Sequence, residues 1–185
     1  MSEVRLTVVG DPYVGKTSLL QSFAVKEITG EEVFFKRDCL VDTKTVRFLI
    51  KDAPCRRGFF SIRRMLMYPN TDCFIVCFSA GNPESFFNVT EKWLLEISHC
   101  QPGVPAVLVC CKKDLRLDQD HFSHARSGKE AIEEDIASEL VGVNMDGTTI
   151  RSYFECSVEG DEGIEDVFSN AARQGLQYRQ GVNER

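Results

Sequence analysis

A short run near the amino terminus, G-D-P-Y-V-G-K-T from Gly10 to Thr17, combines residues suited to phosphate chemistry. It fits the pattern G-x-x-x-x-G-K-S/T, in which glycines let backbone amides turn towards an anion without a Cβ in the way. Lys16 adds a positive charge for the β and γ phosphates of a nucleotide, and the Thr17 hydroxyl is a ligand for Mg²⁺. The run lies between a strand-like and a helix-like segment, so it predicts a phosphate-binding loop rather than an ordinary glycine turn.

A second polar cluster, C-K-K-D from Cys111 to Asp114, follows an apolar run. The Asp114 carboxylate can accept two hydrogen bonds from the N1–H and exocyclic amine of guanine, which adenine does not offer. Lys112 can lay its alkyl stem over the plane of the base. The cluster by itself also fits a solvated group of charges, but together with the phosphate loop it predicts a guanine-nucleotide site.

Asp52 ends the strand-like run from Phe48 to Lys51. An acidic residue at the end of a strand beside a phosphate loop can hold Mg²⁺ through water. Thr17 and Asp52 are therefore the predicted metal residues. The alternative interpretation of Asp52 is an aspartate that only begins a turn.

The elements that must position these residues alternate between strand-like and helix-like segments. This order predicts an α/β protein with the three-layer P-loop NTPase fold, which here means a six-stranded, mostly parallel sheet with about five flanking helices. The predicted strands cover residues 4–9, 33–41, 44–50, 73–79, 104–110 and 150–156, with a tight hairpin turn at Asp42 and Thr43.

Four helices are visible in the pattern. One runs from Lys16 to about Val25, a second begins at Asn82 and Pro83, an acidic third covers residues 129–140, and the last starts near Ile164. The second helix carries an apolar stripe at helical spacing, which predicts core packing rather than a binding surface. The stripe consists of Phe86, Val89, Trp93 and Ile97.

Length and composition predict one globular domain over residues 1–185, with residues 173–185 as a frayed tail. The net charge of −6 gives no attraction for nucleic acid. Eight cysteines are present without a C-x-x-C pair, and several lie in apolar runs. They are therefore expected to be reduced thiols rather than disulfides or zinc ligands.

The sequence begins without a signal peptide and has no apolar stretch long enough to span a membrane. Ser2 excludes N-myristoylation, and the last five residues contain no prenylatable cysteine and no polybasic tail. We therefore expect a cytoplasmic monomer without a direct lipid anchor, which a partner could recruit to membranes. A chain shortened at its carboxyl terminus would look the same.

Over nearly its whole length the chain resembles the Rho branch of small GTPases. Trp93 and the D-L-R run after Lys113 are more typical of Rho than of Ras or Rab proteins, and the 38 residues between Arg116 and Glu155 leave room for the extra Rho helix. The runs that carry the resemblance are Tyr68 to Asp72, Cys77 to Ser79, Glu91 to Trp93, Lys113 to Arg116 and Glu155 to Ser157.

The resemblance implies a protein that binds GTP or GDP with Mg²⁺ and acts through regulatory or effector proteins. The nucleotide-binding residues that it implies are Asp11, Pro12, Tyr13, Val14, Gly15, Lys16, Thr17, Ser18, Cys111, Lys112, Asp114, Leu115, Ser157 and Val158. Three of the family's usual residues are replaced. Pro12 stands in place of glycine and donates no amide, Cys111 replaces a residue that tethers the phosphate loop, and Glu159 replaces a lysine.

The second switch departs further from the family. Its run D-T-A-G-Q is D-A-P-C-R here, from Asp52 to Arg56. Arg56 stands where the family's glutamine orients the attacking water, and arginine has no acceptor for that water. No catalytic residue can therefore be assigned with certainty, and we expect slow or absent hydrolysis. The alternative is an active GTPase in which Arg56, Arg57 or a partner's arginine acts as a finger.

The first switch is about five residues shorter than in a typical Rho protein. At the family's spacing its Mg²⁺-binding threonine falls on Phe35, which has no ligand atom, and Thr29 is the nearest hydroxyl. The segment looks like a shortened switch merged into the second strand. Weak discrimination between GTP and GDP is the expected consequence. A third class, a P-loop kinase for small metabolites, fits less well because an arginine-rich lid is missing.

Overall fold

The protein is described by a computed structural model that covers residues 2–29, 32–54, 66–116 and 131–183. Its centre is an eight-stranded sheet. The strands are β1 (Ser2–Gly10), β2 (Val25–Thr29), β3 (Glu32–Val41), β4 (Lys44–Asp52), β5 (Cys73–Ser79), β6 (Ala106–Cys111), β7 (Asn144–Met145) and β8 (Thr148–Glu155).

The sheet has the order β2-β3-β4-β1-β5-β6-β8-β7. Strands β4, β1, β5, β6 and β8 run parallel to one another, and antiparallel pairs occur only towards the two edges of this sheet. Every residue of β5 and β6 is buried, because both faces of the parallel part are covered. The carboxyl ends of the parallel strands therefore meet at one edge of the sheet, where the predicted site residues follow them.

Helices cover both faces. They are α1 (Lys16–Phe23), α2 (Pro83–Asn88), α3 (Leu95–Cys100), α4 (Glu134–Ser138) and α5 (Ile164–Asn183). A π-helical turn, Val89–Leu94, joins α2 to α3, and a 3₁₀ turn, Lys113–Arg116, follows β6. No helix in the described ranges combines the length and the apolar character needed to cross a membrane.

Two apolar cores lie on opposite faces of the sheet. The first contains α1 and α5, where the rings of Phe23 and Phe168 stack with centroids 3.9 Å apart. The second lies under α2 and α3 and contains Trp93 and Tyr68, both fully buried. The predicted core stripe of the second helix is confirmed for Trp93, Val89 and Ile97. This arrangement of helices, sheet and helices confirms the predicted three-layer fold.

The strand count differs from the prediction, because β2 and β7 add to the six expected strands. The predicted helix to Val25 was too long: α1 ends at Phe23, and Ala24 is already extended. Val25 to Thr29 then pair antiparallel with β3, from Val25 opposite Lys36 to Thr29 opposite Glu32. Three of these five residues are β-branched and favour strand over helix, and this strand occupies the region expected to be the shortened first switch.

The carboxyl-terminal segment also differs from the expectation of a frayed tail, since α5 continues to Asn183. The Arg179 guanidinium donates to the Asp72 carboxylate and, at 2.7 Å, to the Glu3 carbonyl. Arg173 pairs with Asp42 at 2.8 Å. These contacts join the helix to positions more than a hundred residues away, which explains why local sequence did not predict its order.

Seven cysteines lie in the described ranges, and Cys39, Cys73, Cys77, Cys110, Cys111 and Cys156 among them are free thiols. Cys39 and Cys100 are partly buried and the other five are buried. Burial raises the pKa of Cys110 to about 12, with opposing and smaller effects from neighbouring charges. Such thiols are neutral at physiological pH and pack as small apolar side chains. Cys55 lies outside the described residues.

Arg179→Met is expected to lower the free energy of unfolding by about 1–2 kcal/mol, because the Asp72 carboxylate loses a charged hydrogen-bond partner inside the fold. Urea unfolding followed by far-UV circular dichroism measures the change. Arg173→Met is the matched control, because its partner Asp42 is exposed and the pair should contribute little. Equal effects of the two substitutions would contradict this account of how α5 is anchored.

Candidate nucleotide-binding site

The predicted phosphate loop connects the end of β1 at Gly10 to the start of α1 at Lys16. Gly10 has φ +145°, and a Cβ there would lie 2.3 Å from the Cys77 carbonyl oxygen. Gly15 has φ +115° and lies against Cys111. Both positions therefore require glycine, and the loop begins and ends at backbone conformations that other residues rarely adopt.

Two lysines converge on the loop backbone. The Lys16 side chain is buried and its Nζ donates to the Asp11 carbonyl at 2.7 Å. Lys112, from the segment after β6, donates from Nζ to the Tyr13 carbonyl at 2.8 Å. Their ammonium groups bring positive charge to a loop whose helix α1 also points its amino-terminal end at the same space.

A cavity of about 660 Å³ opens between the loop and the end of β4. It is lined by Pro12, Tyr13, Gly15, Lys16, Thr17, Ser18, Asp52, Ala53, Pro54 and Lys112. A second cavity of about 430 Å³ shares Gly15, Ser18 and Lys112 with the first. Its other lining residues are Cys111, Asp114, Leu115, Cys156, Val158 and Glu159. Both volumes fall in the range of small-molecule sites, and the shared residues make them one continuous surface.

The two predicted metal residues meet in the first cavity. The Thr17 hydroxyl donates to Oδ2 of Asp52 at 2.6 Å, although the residues are 35 positions apart. Hard oxygen atoms of this kind suit Mg²⁺, which takes one or two protein oxygens and completes its shell with water and phosphate. The pair thus fits a magnesium ion held together with a phosphorylated ligand. In the described part of the chain there is no cluster of three His, Cys, Asp or Glu side chains that would form an all-protein cage.

The predicted base-recognition residues also come together. The Ser157 hydroxyl donates to Oδ1 of Asp114 at 2.5 Å and accepts from the Gly160 amide at 3.1 Å. Neighbouring Lys113 forms an ion pair with Glu162, and the hydrogen bond within this pair raises the pKa of Lys113. The Asp114 carboxylate is therefore oriented by a neutral donor, while the cation next to it is held by another carboxylate.

A second ion pair supports this region from behind. Arg116 donates to Oε2 of Glu155 at 2.6 Å and to the Ile132 carbonyl at 2.7 Å. Burial raises the pKa of Glu155, but hydrogen bonds from Arg116 and Tyr153 lower it by more, so the carboxyl stays ionised. The 3₁₀ turn that carries Asp114 is thereby fixed to β8.

The wall of the second cavity is formed partly by thiols. Cys111 is the last residue of β6, Cys156 directly follows the neighbouring strand β8, and both are buried. A hydrogen bond with Cys111, together with burial, raises the pKa of the Cys156 thiol well above its usual value. These side chains are neutral and largely apolar, which suits the flat face of a nucleobase.

Comparison with known proteins agrees with this geometry. Residues 5–177 match the model of the Ras family. Over 183 residues, the chain is 37% identical to the Rho-related GTP-binding protein RhoB of Homo sapiens, Mus musculus and Rattus norvegicus, covering 96% of this chain and 91% of each relative. The chain belongs to the Rho family of small GTPases. The resemblance inferred from the sequence is thus confirmed, and Rho-family proteins generally bind GTP or GDP with Mg²⁺.

Most of the nucleotide-binding residues predicted for this Rho-family chain line one of the two cavities. Asp11, Val14 and Ser157 do not line these two cavities. All three residues are buried, and the Ser157 hydroxyl donates to Asp114. Glu159, which stands where the family has a lysine, lines the second cavity. The predictions at Cys55, Arg56, Arg57 and Gly58 fall outside the described residues.

The two first-switch candidates lie in strands β2 and β3. Phe35 is only 3% exposed and pairs in the sheet with Lys26 on one side and Ile50 on the other. Thr29 lies in β2 opposite Glu32, and its side chain is outside the described part. Residues 25–29 and 32–41, in the region where the shortened first switch was expected, are therefore paired strands of the sheet.

Sequence analysis missed one group of residues at the loop. The side chains of Asn88, Lys92 and Trp93 all contact the Asp11 carboxylate. Trp93 lies in the predicted core stripe, and the helical spacing gave no sign of a polar contact. The sequence signal that could have indicated these contacts was an acidic residue in the loop together with three hydrogen-bond donors, Asn88, Lys92 and Trp93, in one helical segment.

Asp114→Ala is expected to weaken binding of Mg²⁺–GDP at least about tenfold and to reduce the preference for GDP over ADP, since guanine loses its carboxylate acceptor. Isothermal titration calorimetry with both nucleotides measures the two affinities. Asp135→Ala, at an exposed aspartate of α4, is the control. An unchanged ratio of GDP to ADP affinity would show that Asp114 does not read the base.

Thr17→Ala is expected to make GDP release insensitive to chelation. In the wild type, EDTA should accelerate release by removing the ion held by Thr17 and Asp52, whereas the variant should release GDP quickly with or without EDTA. Loss of fluorescence from a labelled GDP measures both rates. Thr45→Ala, on the exposed face of β4, should behave as the wild type. A variant that keeps the full EDTA response would remove Thr17 from the metal site.

Proposed function

We propose that this Rho-family protein binds GTP or GDP with Mg²⁺ across the two joined cavities and signals through regulatory or effector proteins, with slow or absent GTP hydrolysis. The observation that carries the proposal is the shared surface at Gly15, Ser18 and Lys112. It joins a cavity with cationic and metal-ligating groups to a cavity with a guanine-type carboxylate. The anionic phosphates of the nucleotide match the first cavity, and its guanine base matches the second.

In this proposal the phosphates occupy the larger cavity. Loop amides and the amino-terminal end of α1 face the β phosphate, while Lys16 leaves the Asp11 carbonyl to contact phosphate oxygens. Thr17 and Asp52 would hold Mg²⁺, and the ion would supply positive charge that neutralises the phosphates. Pro12 contributes no amide, so the loop offers one donor fewer than its length would allow.

The base occupies the smaller cavity. Asp114 accepts from the guanine N1–H and amine, Ser157 orients Asp114, and the stem of Lys112 covers one face of the ring. The Cys111 thiol is a poor donor, and the Glu159 carboxylate adds negative charge to the lining. We therefore expect a guanine affinity below that of a typical small GTPase, with the selectivity retained.

The position of β2 supports a weak first switch. Its five residues are bound to β3 by sheet hydrogen bonds, and Phe35 in β3 is buried. To bring a hydroxyl from this segment to Mg²⁺, the pairing of β2 with β3 would have to be broken. A γ-phosphate without that contact gives little differential binding energy, so GTP and GDP would favour nearly the same conformation.

The second switch begins at the lining of the larger cavity. Ala53 is buried and its amide donates to the Val8 carbonyl at 3.0 Å, and Pro54 follows it with a fixed φ. These contacts restrain the backbone directly after Asp52. Combined with arginine in place of the water-orienting glutamine at position 56, they favour impaired hydrolysis over the alternative of an arginine finger in cis.

Protein purified from its host should retain nucleotide after desalting. Denaturation followed by chromatography identifies what is released, and we expect predominantly GTP, since bound GTP would outlast purification. Predominantly GDP would favour an active GTPase that uses Arg56, Arg57 or a partner's arginine. Absence of nucleotide, together with no calorimetric heat for Mg²⁺–GDP or Mg²⁺–GTP, would contradict the proposed binding.

Single-turnover hydrolysis tests the catalytic half of the proposal. Wild-type protein loaded with radiolabelled GTP should release phosphate about tenfold or more slowly than Arg56→Gln, because glutamine supplies the missing acceptor for water. Arg56→Lys keeps the positive charge without an acceptor and should stay slow. A wild-type rate equal to or above that of Arg56→Gln would overturn the expectation of impaired hydrolysis.

A further inference from the structure

The Asp11 carboxylate lies in the phosphate loop, yet its partners come from a single distant helical segment. Asp11 is 8% exposed. Its Oδ2 accepts from Asn88 Nδ2 at 2.6 Å, and its Oδ1 accepts from Trp93 Nε1 at 3.0 Å and from Lys92 Nζ at 3.3 Å. We call these three residues the Asp11 clamp. Three polar groups on one buried carboxylate form a satisfied network, in which the loss of one donor leaves the carboxylate with fewer hydrogen bonds to compensate its burial.

The π-helical turn Val89–Leu94 accounts for this convergence. In an α-helix with 3.6 residues per turn, residues five apart lie about 140° apart around the axis, so Asn88 and Trp93 would face different sides. A π-turn places residues five apart one above the other, as its i to i+5 hydrogen bonds require. The irregular turn therefore directs Asn88, Lys92 and Trp93 towards one carboxylate.

Asp11 also contacts the phosphate-binding lysine. Its backbone carbonyl accepts from Lys16 Nζ at 2.7 Å, while its side chain is held by the clamp. The next residue, Pro12, has a fixed φ and limits rotation of the loop immediately after Asp11. The position of Asp11 therefore sets both the direction of the carbonyl that holds Lys16 and the direction in which the loop continues.

The charge of Asp11 gives the clamp an electrostatic role. A buried carboxylate within a phosphate loop repels a phosphorylated ligand unless its charge is compensated. Lys92 supplies that compensation through its ion pair with Oδ1 and also lies 4.0 Å from the centroid of the Trp93 ring. Without Lys92, the Asp11 carboxylate would lose this cationic partner.

We propose that Asn88, Lys92 and Trp93 are positioning residues for the nucleotide, which hold Asp11 and hence the phosphate loop in its binding shape. The inference rests on the proposed function, because it assumes that the loop binds a nucleoside diphosphate. Linkage makes the effect reciprocal: when phosphate draws Lys16 away from the Asp11 carbonyl, the surroundings of Trp93 change as well. The helical segment 83–100 thus senses occupancy of the phosphate cavity.

The chain contains one tryptophan, so its fluorescence reports on the clamp directly. Titration of the whole chain, first freed of bound nucleotide with EDTA, with Mg²⁺–GDP should change Trp93 emission in proportion to occupancy. Asn88→Ala and Lys92→Met should release GDP about tenfold faster than the wild type, the scale of one lost charged hydrogen bond, and show a smaller emission change. Lys92→Arg keeps the charge and should restore most of both properties.

Thr90→Ala is the matched control within the same turn. Its hydroxyl donates to the Phe87 carbonyl of its own helix, so the variant should keep the wild-type release rate and emission change. Thermal melts separate positioning from stability: the clamp variants should show a reduced rise in melting temperature on addition of GDP, whatever their melting temperature without it.

Three results would contradict the inference. If the wild type binds Mg²⁺–GDP and the clamp variants release it at the wild-type rate with an unchanged emission response, this inference fails and the proposed function stands. If Lys92→Met and Lys92→Arg are equally impaired, the charge on Lys92 is not what matters and the inference also fails. If the wild type gives neither calorimetric heat nor an emission change, the proposed function and the inference fail together.

Discussion

The contact between the Gly10 backbone and the Cys77 carbonyl determines where the phosphate loop leaves the sheet. Gly10 is the last residue of β1 and pairs in register with Cys77 of β5, at a separation that leaves no room for a side chain. The chain turns at this point towards α1, and strands β4 and β6 end at the same edge of the sheet. Thr17, Asp52 and Lys112 therefore meet although they are far apart in the sequence. In a parallel sheet the carboxyl ends of the strands lie at one edge. Because Gly10 has no Cβ, the chain after β1 can turn there into a binding loop.

The positions of these strand ends and of the loop could be predicted because their signals are local. A glycine-bracketed loop between an apolar strand and a helix, and a polar cluster after another apolar strand, are each recognisable in the sequence. The buried strands β5 and β6 appear as uninterrupted apolar runs, as expected when both faces are covered. Family membership follows from the same runs, which the comparison with Rho-related proteins supports over most of the chain.

Where prediction failed, the deciding contacts are distant. Val25 continues the apolar spacing of α1, so its pairing with Lys36 in β3 could not be seen from the helix pattern. The order of α5 beyond residue 173 depends on ion pairs with Asp42 and Asp72, which lie more than a hundred residues earlier in the sequence. Trp93 was correctly placed in the core, but a π-turn cannot be recognised from apolar periodicity, so the hydrogen bond from its indole N–H to Asp11 was not predicted.

Strand β2 also changes the surface that the sheet presents to solvent. It is the outermost strand of the described sheet, and Val25 and Ile28 are each 71% exposed on it. An exposed edge strand with apolar side chains is a template for stacking of identical chains into aggregates. Lys26 and Glu27 lie between the two apolar residues, and charged side chains on an edge oppose such stacking. Strand β2 therefore combines an aggregation-prone border with two adjacent charges that counteract it locally.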